Sequence, residues 1–142
     1  MKRILTVTVA VILLLTMVLS LTSCSSFGSI KSNFVKAGYE LDAAAEMTME
    51  IATETGKLTV TVHTFKKASN GGLLDNIVSG LSTAIVYEFG SDADLRKALS
   101  ENAEISAFIG EAQQTDYVNG NCLLMTVNPD AVKIFKGEFE AK

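Results

Sequence analysis

"YELDAAAEMTMEIATET", residues 39–55, decides the fold, because it reads two ways. With period two, Leu41, Ala43, Ala45, Met47, Met49 and Ile51 alternate with polar neighbours, as along a half-buried strand. At about 100° per residue, Asp42, Glu46, Glu50 and Glu54 share one face. Leu41, Ala44, Ala45, Met47, Thr48, Ile51 and Ala52 then fill the other. Both templates fit, so propensity arbitrates. Ala, Glu and Met dominate residues 43–50, and all three favour helix. The stretch therefore predicts a short strand at 39–42 and a helix to about Glu54.

Outward from it the signals are plainer. Thr55-Gly56-Lys57 is a break, and Leu58 to Phe65 is a β-branched, alternating strand. Ala84 to Phe89 is a second strand, after a long connection at 66–83. Ser91-Asp92-Ala93-Asp94 has the form of a capping box, with Asp in place of the usual Glu. The helix it opens carries Leu95, Ala98, Leu99, Asn102 and Ala103 and extends toward Ile109, where Gly110 stops it. Val118-Asn119-Gly120-Asn121 is a turn, Cys122 to Val127 a buried strand. Asn128-Pro129-Asp130 opens a last helix, with Val132, Phe135 and Phe139 as its buried side. Upstream, Ile30 to Ala37 reads as a short amphipathic helix ended by Gly38. The resulting order predicts an α+β domain: a ferredoxin-like β-α-β-β-α-β sheet with helices on one face, flanked by N- and C-terminal helices.

The chain opens Met1-Lys2-Arg3, and Ile4 to Leu21 then carries no charge. Such a run suits a membrane span or a secretory signal peptide. Leu21-Thr22-Ser23-Cys24 resembles the lipobox of bacterial lipoprotein precursors: an aliphatic residue, two small residues, then cysteine. The resemblance implies diacylglycerol on the Cys24 thiol, a cut just before Cys24, and an anchored chain on the extracytoplasmic side of the cell membrane. Residues 1–23 are then the signal peptide, 24–29 the lipidated cysteine with a short Ser/Gly tether, and 30–142 a single domain. Two acyl chains, at about 0.8 kcal/mol per buried methylene, anchor stably where one does not. The domain also resembles small bacterial lipoproteins of unassigned function, through Ala37-Gly38-Tyr39-Glu40-Leu41 and through Tyr87-Glu88-Phe89 before an acidic helix start. That likeness implies no activity.

Removing residues 1–23 takes away Lys2 and Arg3 and no acid, so the formal charge moves from −4 to about −6. An acidic domain lacks the basic footprint that nucleic acid requires, and charge does not draw it to anionic lipid. With Cys24 acylated, Cys122 has no intrachain disulfide partner, and its apolar neighbours predict a buried, inert thiol.

His63 is the single histidine. In the strand it points away from Leu58, Val60 and Val62, either to solvent or onto the sheet, and its replacement by Ala is expected to cost less than about 1 kcal/mol. No His/Cys cluster suggests a metal, and no Gly-x-Ser-x-Gly elbow suggests a hydrolase. Asp92-Ala93-Asp94 starts like a calcium loop but puts Arg96 and Ala103 where acids are needed. Gly71-Gly72 lacks the Lys that follows a phosphate-cradling loop. The acidic row at Asp42, Glu46, Glu50 and Glu54 reads as a solvated face. Inside the long connection, Leu73, Leu74, Ile77, Val78 and Leu81 fall within about 140° on a helical wheel. They form either a lid on the sheet or an apolar contact surface. The expectation is a lipid-anchored binding domain without catalytic residues, cofactor or metal, whose partners are the membrane through Cys24 and an envelope protein. The alternative is a small envelope hydrolase using His63. A solute-binding component is disfavoured, because one small domain lacks the two lobes that close on a solute.

Overall fold

Strand β3 (Gly56–Lys67) is the spine of an antiparallel sheet. The computed structural model describes residues 26–67, 82–110 and 114–140. In chain order its other elements are α1 (Ser26–Lys36), β1 (Tyr39–Leu41), a 3₁₀ turn (Ala43–Ala45), β2 (Met47–Thr53), β4 (Ala84–Phe89), α2 (Asp92–Glu101), α3 (Ala103–Ile109), α4 (Gln114–Tyr117), β5 (Val118–Asn119), β6 (Cys122–Met125) and α5 (Pro129–Lys136). The sheet has six strands, ordered β1-β3-β4-β6-β5, with β2 also on β3. The mixed α+β class and the helices at both ends agree with expectation.

Three expectations need correction. The helix predicted to about Glu54 is instead β2, paired with β3 from Met47↔Val62 to Thr53↔Gly56. A two-residue hairpin loop, Glu54-Thr55, joins them, and Gly56 sits at φ +150° where a side chain is strained. Cross-strand pairs of Met49 with Val60 and Ile51 with Leu58 outweigh the local helix preference. Second, a ferredoxin-like order would put β1 between β4 and β6. Instead β4 pairs β6 directly, and β1 lies beyond β3 on the same side as β2. The three-residue turn is too short for a crossover, so the chain simply resumes along the same edge. Third, helices cover both faces of the sheet, not one.

The first face carries Phe65, Val86, Cys122 and Leu124 under α1 and α5, with Ile30, Phe34, Ile134 and Phe135 completing its core. Phe34 stacks on Phe65 with ring centroids 4.5 Å apart and meets Tyr39 edge-on at 5.2 Å. The second face carries Ile51, Val60, Phe89 and Leu123 against Leu95 and Ala98 of α2 and Ile109 of α3. Each fully buried large apolar side chain contributes about 1.5–3 kcal/mol.

Local chemistry sets the ends. Ser91 Oγ accepts from the Asp94 amide, as the capping box predicts. Asn128 Oδ1 accepts from the Asp130 amide, with Pro129 in the first helical turn. The stripe read as one helix to Ile109 is broken at Asn102, which ends α2 and caps α3 by accepting from the Glu104 and Ile105 amides. Helix α1 begins at Ser26, four residues before the expected start, and so takes in residues assigned to the tether.

Candidate functional site

His63 is buried, at 4% exposure, rather than open to solvent. Its parity on β3 puts it on the first face, as expected, beside Phe65. Its Nδ1 lies 3.0 Å from Glu46 Oε2, and its Nε2 lies 3.0 Å from Glu88 Oε2. Phe27 of α1 covers the ring, stacked at 3.7 Å and 17°. Each carboxylate has a structural origin. His63 pairs with Val86, so Glu88 is its diagonal neighbour on β4. Glu46 stands just before β2, opposite His63 if the β2–β3 ladder is continued by one residue.

An ionised carboxylate only accepts hydrogen bonds. Both contacts are therefore hydrogen bonds at once when the ring carries a proton on each nitrogen, or when one carboxyl keeps its own. The arrangement locks the imidazole. It also leaves neither ring nitrogen open to take a proton from a hydroxyl nucleophile. The carboxylates approach opposite ends of the ring, so the three groups cannot converge on one ion. Among the described residues no cluster of His, Cys, Asp or Glu is arranged to hold a metal.

Glu88 also borders an open cleft of about 710 Å³, lined further by Ser26, Thr59, Thr61, Ser91, Asp92 and Asn121. This end of the first face lies beyond the reach of α5. The Gly120-Asn121 turn passes so close to α1 that a Cβ at Gly120, whose φ is +58°, would collide with Ser26 Oγ. Glu88 and Asp92 make part of the lining acidic, and Ser26 in it stands two residues from Cys24 in the chain.

The acidic row is dispersed into separate pairs. Asp42 contacts Lys66 at 2.6 Å, Glu50 contacts Lys57 at 2.7 Å, and Glu46 is held by His63. The Lys66 hydrogen bond holds the Asp42 carboxyl below its ordinary range. Cys122 is fully buried beneath α1 and α5. Burial, then the nearby Glu88 charge, pushes its thiol up to about 12, so the reactive thiolate is scarce. Leu73, Leu74, Ile77, Val78 and Leu81, and the lipobox with Cys24, lie outside the described residues. No helix among the described residues is long and apolar enough to cross a membrane.

Sequence reasoning missed Glu46, Glu88 and Phe27 as partners of His63. The spacing of Glu88 from His63 becomes readable once β3 and β4 are paired in register. Glu46 was hidden by the helix reading of its segment, and Phe27 by the tether reading. The chain matches no protein-family model, no curated protein and no solved structure.

Proposed function

We propose that this chain is a lipoprotein held on the extracytoplasmic side of the cell membrane by acyl chains on Cys24, and that its α+β domain binds another envelope protein. The observation that carries the reading is Leu21-Thr22-Ser23-Cys24 closing the uncharged run Ile4 to Leu21. The start of α1 at Ser26 supports it with geometry. Two residues of chain span at most about 7 Å, so the cleft end of the domain stands at the bilayer. The 67–82 connection leaves the sheet from the far end of β3. Lys67 is about 20 Å along the strand from Thr61, which lines the cleft. For the stripe Leu73, Leu74, Ile77, Val78 and Leu81 we propose a protein partner, as its apolar side chains in an acidic domain suggest.

One observation favours the hydrolase alternative: Glu46 on Nδ1 resembles the carboxylate that orients a catalytic histidine. Glu88 occupies the place at Nε2 where such a mechanism puts its nucleophile.

Cys24→Ser in the full chain is expected to abolish incorporation of labelled fatty acid and to leave an uncut precursor. Unchanged labelling overturns the anchor. Leu74→Asp and Ile77→Asp are expected to leave the melting temperature nearly unchanged, as for exposed positions. A fall of many degrees in both puts the stripe in the core and removes it as a partner surface.

A further inference from the structure

Strand β2 is an outer edge of the sheet: among the described residues it pairs with β3 alone. Which of its backbone groups face outward follows from the hairpin. Thr53 and Gly56 flank a two-residue loop, so they form a hydrogen-bonded pair, and such pairs alternate along an antiparallel ladder. Ile51, Met49 and Met47 therefore bond inward to β3. The N–H and C=O of Ala52, Glu50 and Thr48 point out. The contact of Asn102 Nδ2 with the Ala52 carbonyl, at 3.0 Å, agrees with this assignment and closes that end of the edge. The 3₁₀ turn at Ala43–Ala45 closes the other. Between them, among the described residues, lies an unpaired edge centred on Met49. It has no proline, no bulge and no inward-pointing lysine, and its exposed charge, Glu50, is offset by Lys57.

We propose that this edge pairs antiparallel with β2 of a second copy of the chain, about a two-fold axis through Met49. The register follows from charge. Outward-facing residues must meet outward-facing residues, which leaves three neighbouring alignments. One sets Glu50 against Glu50 of the other copy, and a second sets Glu46 against Glu50; both oppose like charges. The third sets Thr48 against Glu50 and Met49 against Met49, with Met47 facing Ile51. It places no like charges opposite each other, and Glu50 keeps its own counterion, Lys57, at 2.7 Å. In this alignment Met47 and Met49, now 58% and 39% exposed, meet apolar side chains on the same face of a continuous two-copy sheet. They also extend a groove of about 550 Å³ whose apolar wall is Met49, Ile51, Tyr87, Leu123 and Met125 and whose rim carries Glu50, Glu101 and Glu104. The pairing is independent of the lipid anchor.

The axis makes a specific test possible, because Met49 faces its own copy. Full-length chain in detergent micelles is followed by sedimentation, with Met49→Glu and Met49→Lys beside the parent. The parent is expected to dimerise. Each variant alone is expected to weaken association at least tenfold, with its melting temperature little changed. An equal mixture of the two is expected to restore the dimer. Met49→Cys is expected to give a disulfide-linked dimer on mild oxidation, since facing residues in a non-hydrogen-bonded pair sit close enough to bridge. A parent that remains monomeric up to millimolar concentration overturns the proposal. So does a dimer that both charged variants leave intact, or one that the mixture fails to restore.

Discussion

On one face of the sheet α1 and α5 bury Phe65, Val86 and Leu124 completely, whereas on the other α2 and α3 leave Met47 and Met49 at 58% and 39% exposure. The difference lies in which strands each helix pair reaches. The first face is closed beneath α1 and α5 by aromatic stacking and opens at the cleft beside Glu88, and the buried His63 within it has both nitrogens satisfied. The second is closed over Val60, Phe89 and Leu123 and opens into a groove beside β2. The aromatic stack and the buried histidine therefore lie on the first face, and the exposed methionines on the second. A buried polar group is tolerated when its hydrogen bonds are made, and no buried side-chain polar atom among the described residues lacks a partner.

The largest effect expected from this contrast comes from Phe65→Ala on the closed face. It removes a fully buried ring and its stack on Phe34, and is expected to cost about 3–5 kcal/mol in denaturant unfolding. A loss below about 1 kcal/mol would mean that this face is not the core. Next comes His63→Ala, expected to cost about 2–4 kcal/mol, because two part-buried hydrogen bonds and a stacked ring are lost together. That reverses the small effect expected from the sequence. Of its partners, Glu88→Gln should matter more than Glu46→Gln, since the Glu88 side chain is 22% exposed and that of Glu46 is 46%. Equal effects would contradict the burial difference. The smallest effect belongs to the open face. Met47→Ala is expected to change monomer stability by about 0.5 kcal/mol or less. A chemical melt showing more than about 2 kcal/mol would mean that the second face is covered after all.

Much of the fold was legible in the sequence where the signal was local. Leu58 to Phe65 and Ala84 to Phe89 fold as read, and the caps at Ser91 and Asn128 act through the atoms their types suggested. Residues 39–55 failed for a physical reason. Pairing runs Tyr39↔Lys67 before the 3₁₀ turn and Met47↔Val62 after it, so the register shifts by an odd number of residues. Leu41 consequently faces α1 and α5 while Met47, Met49 and Ile51 face the other way. A single alternation through the whole stretch was never present, and the Ala-Glu-Met composition then tilted the choice to helix. The His63 site was hidden for the same reason. Its partners are neighbours across strands, and a register error of one residue would put them on the opposite face.

Helix α1 packs on α5, so the first and last described helices share one core through Ile30, Phe34, Ile134 and Phe135. A chain delivered N-terminus first can set Tyr39 and Phe65 against Phe34 early, but the Ile134 and Phe135 side of that core arrives only with α5, roughly 100 residues after Ile30. At a synthesis rate of about 5–20 residues per second, that interval is about 5–20 s. Folding cannot finish stepwise behind the moving chain. Throughout that time the side of α1 that meets α5 keeps its apolar surface uncovered.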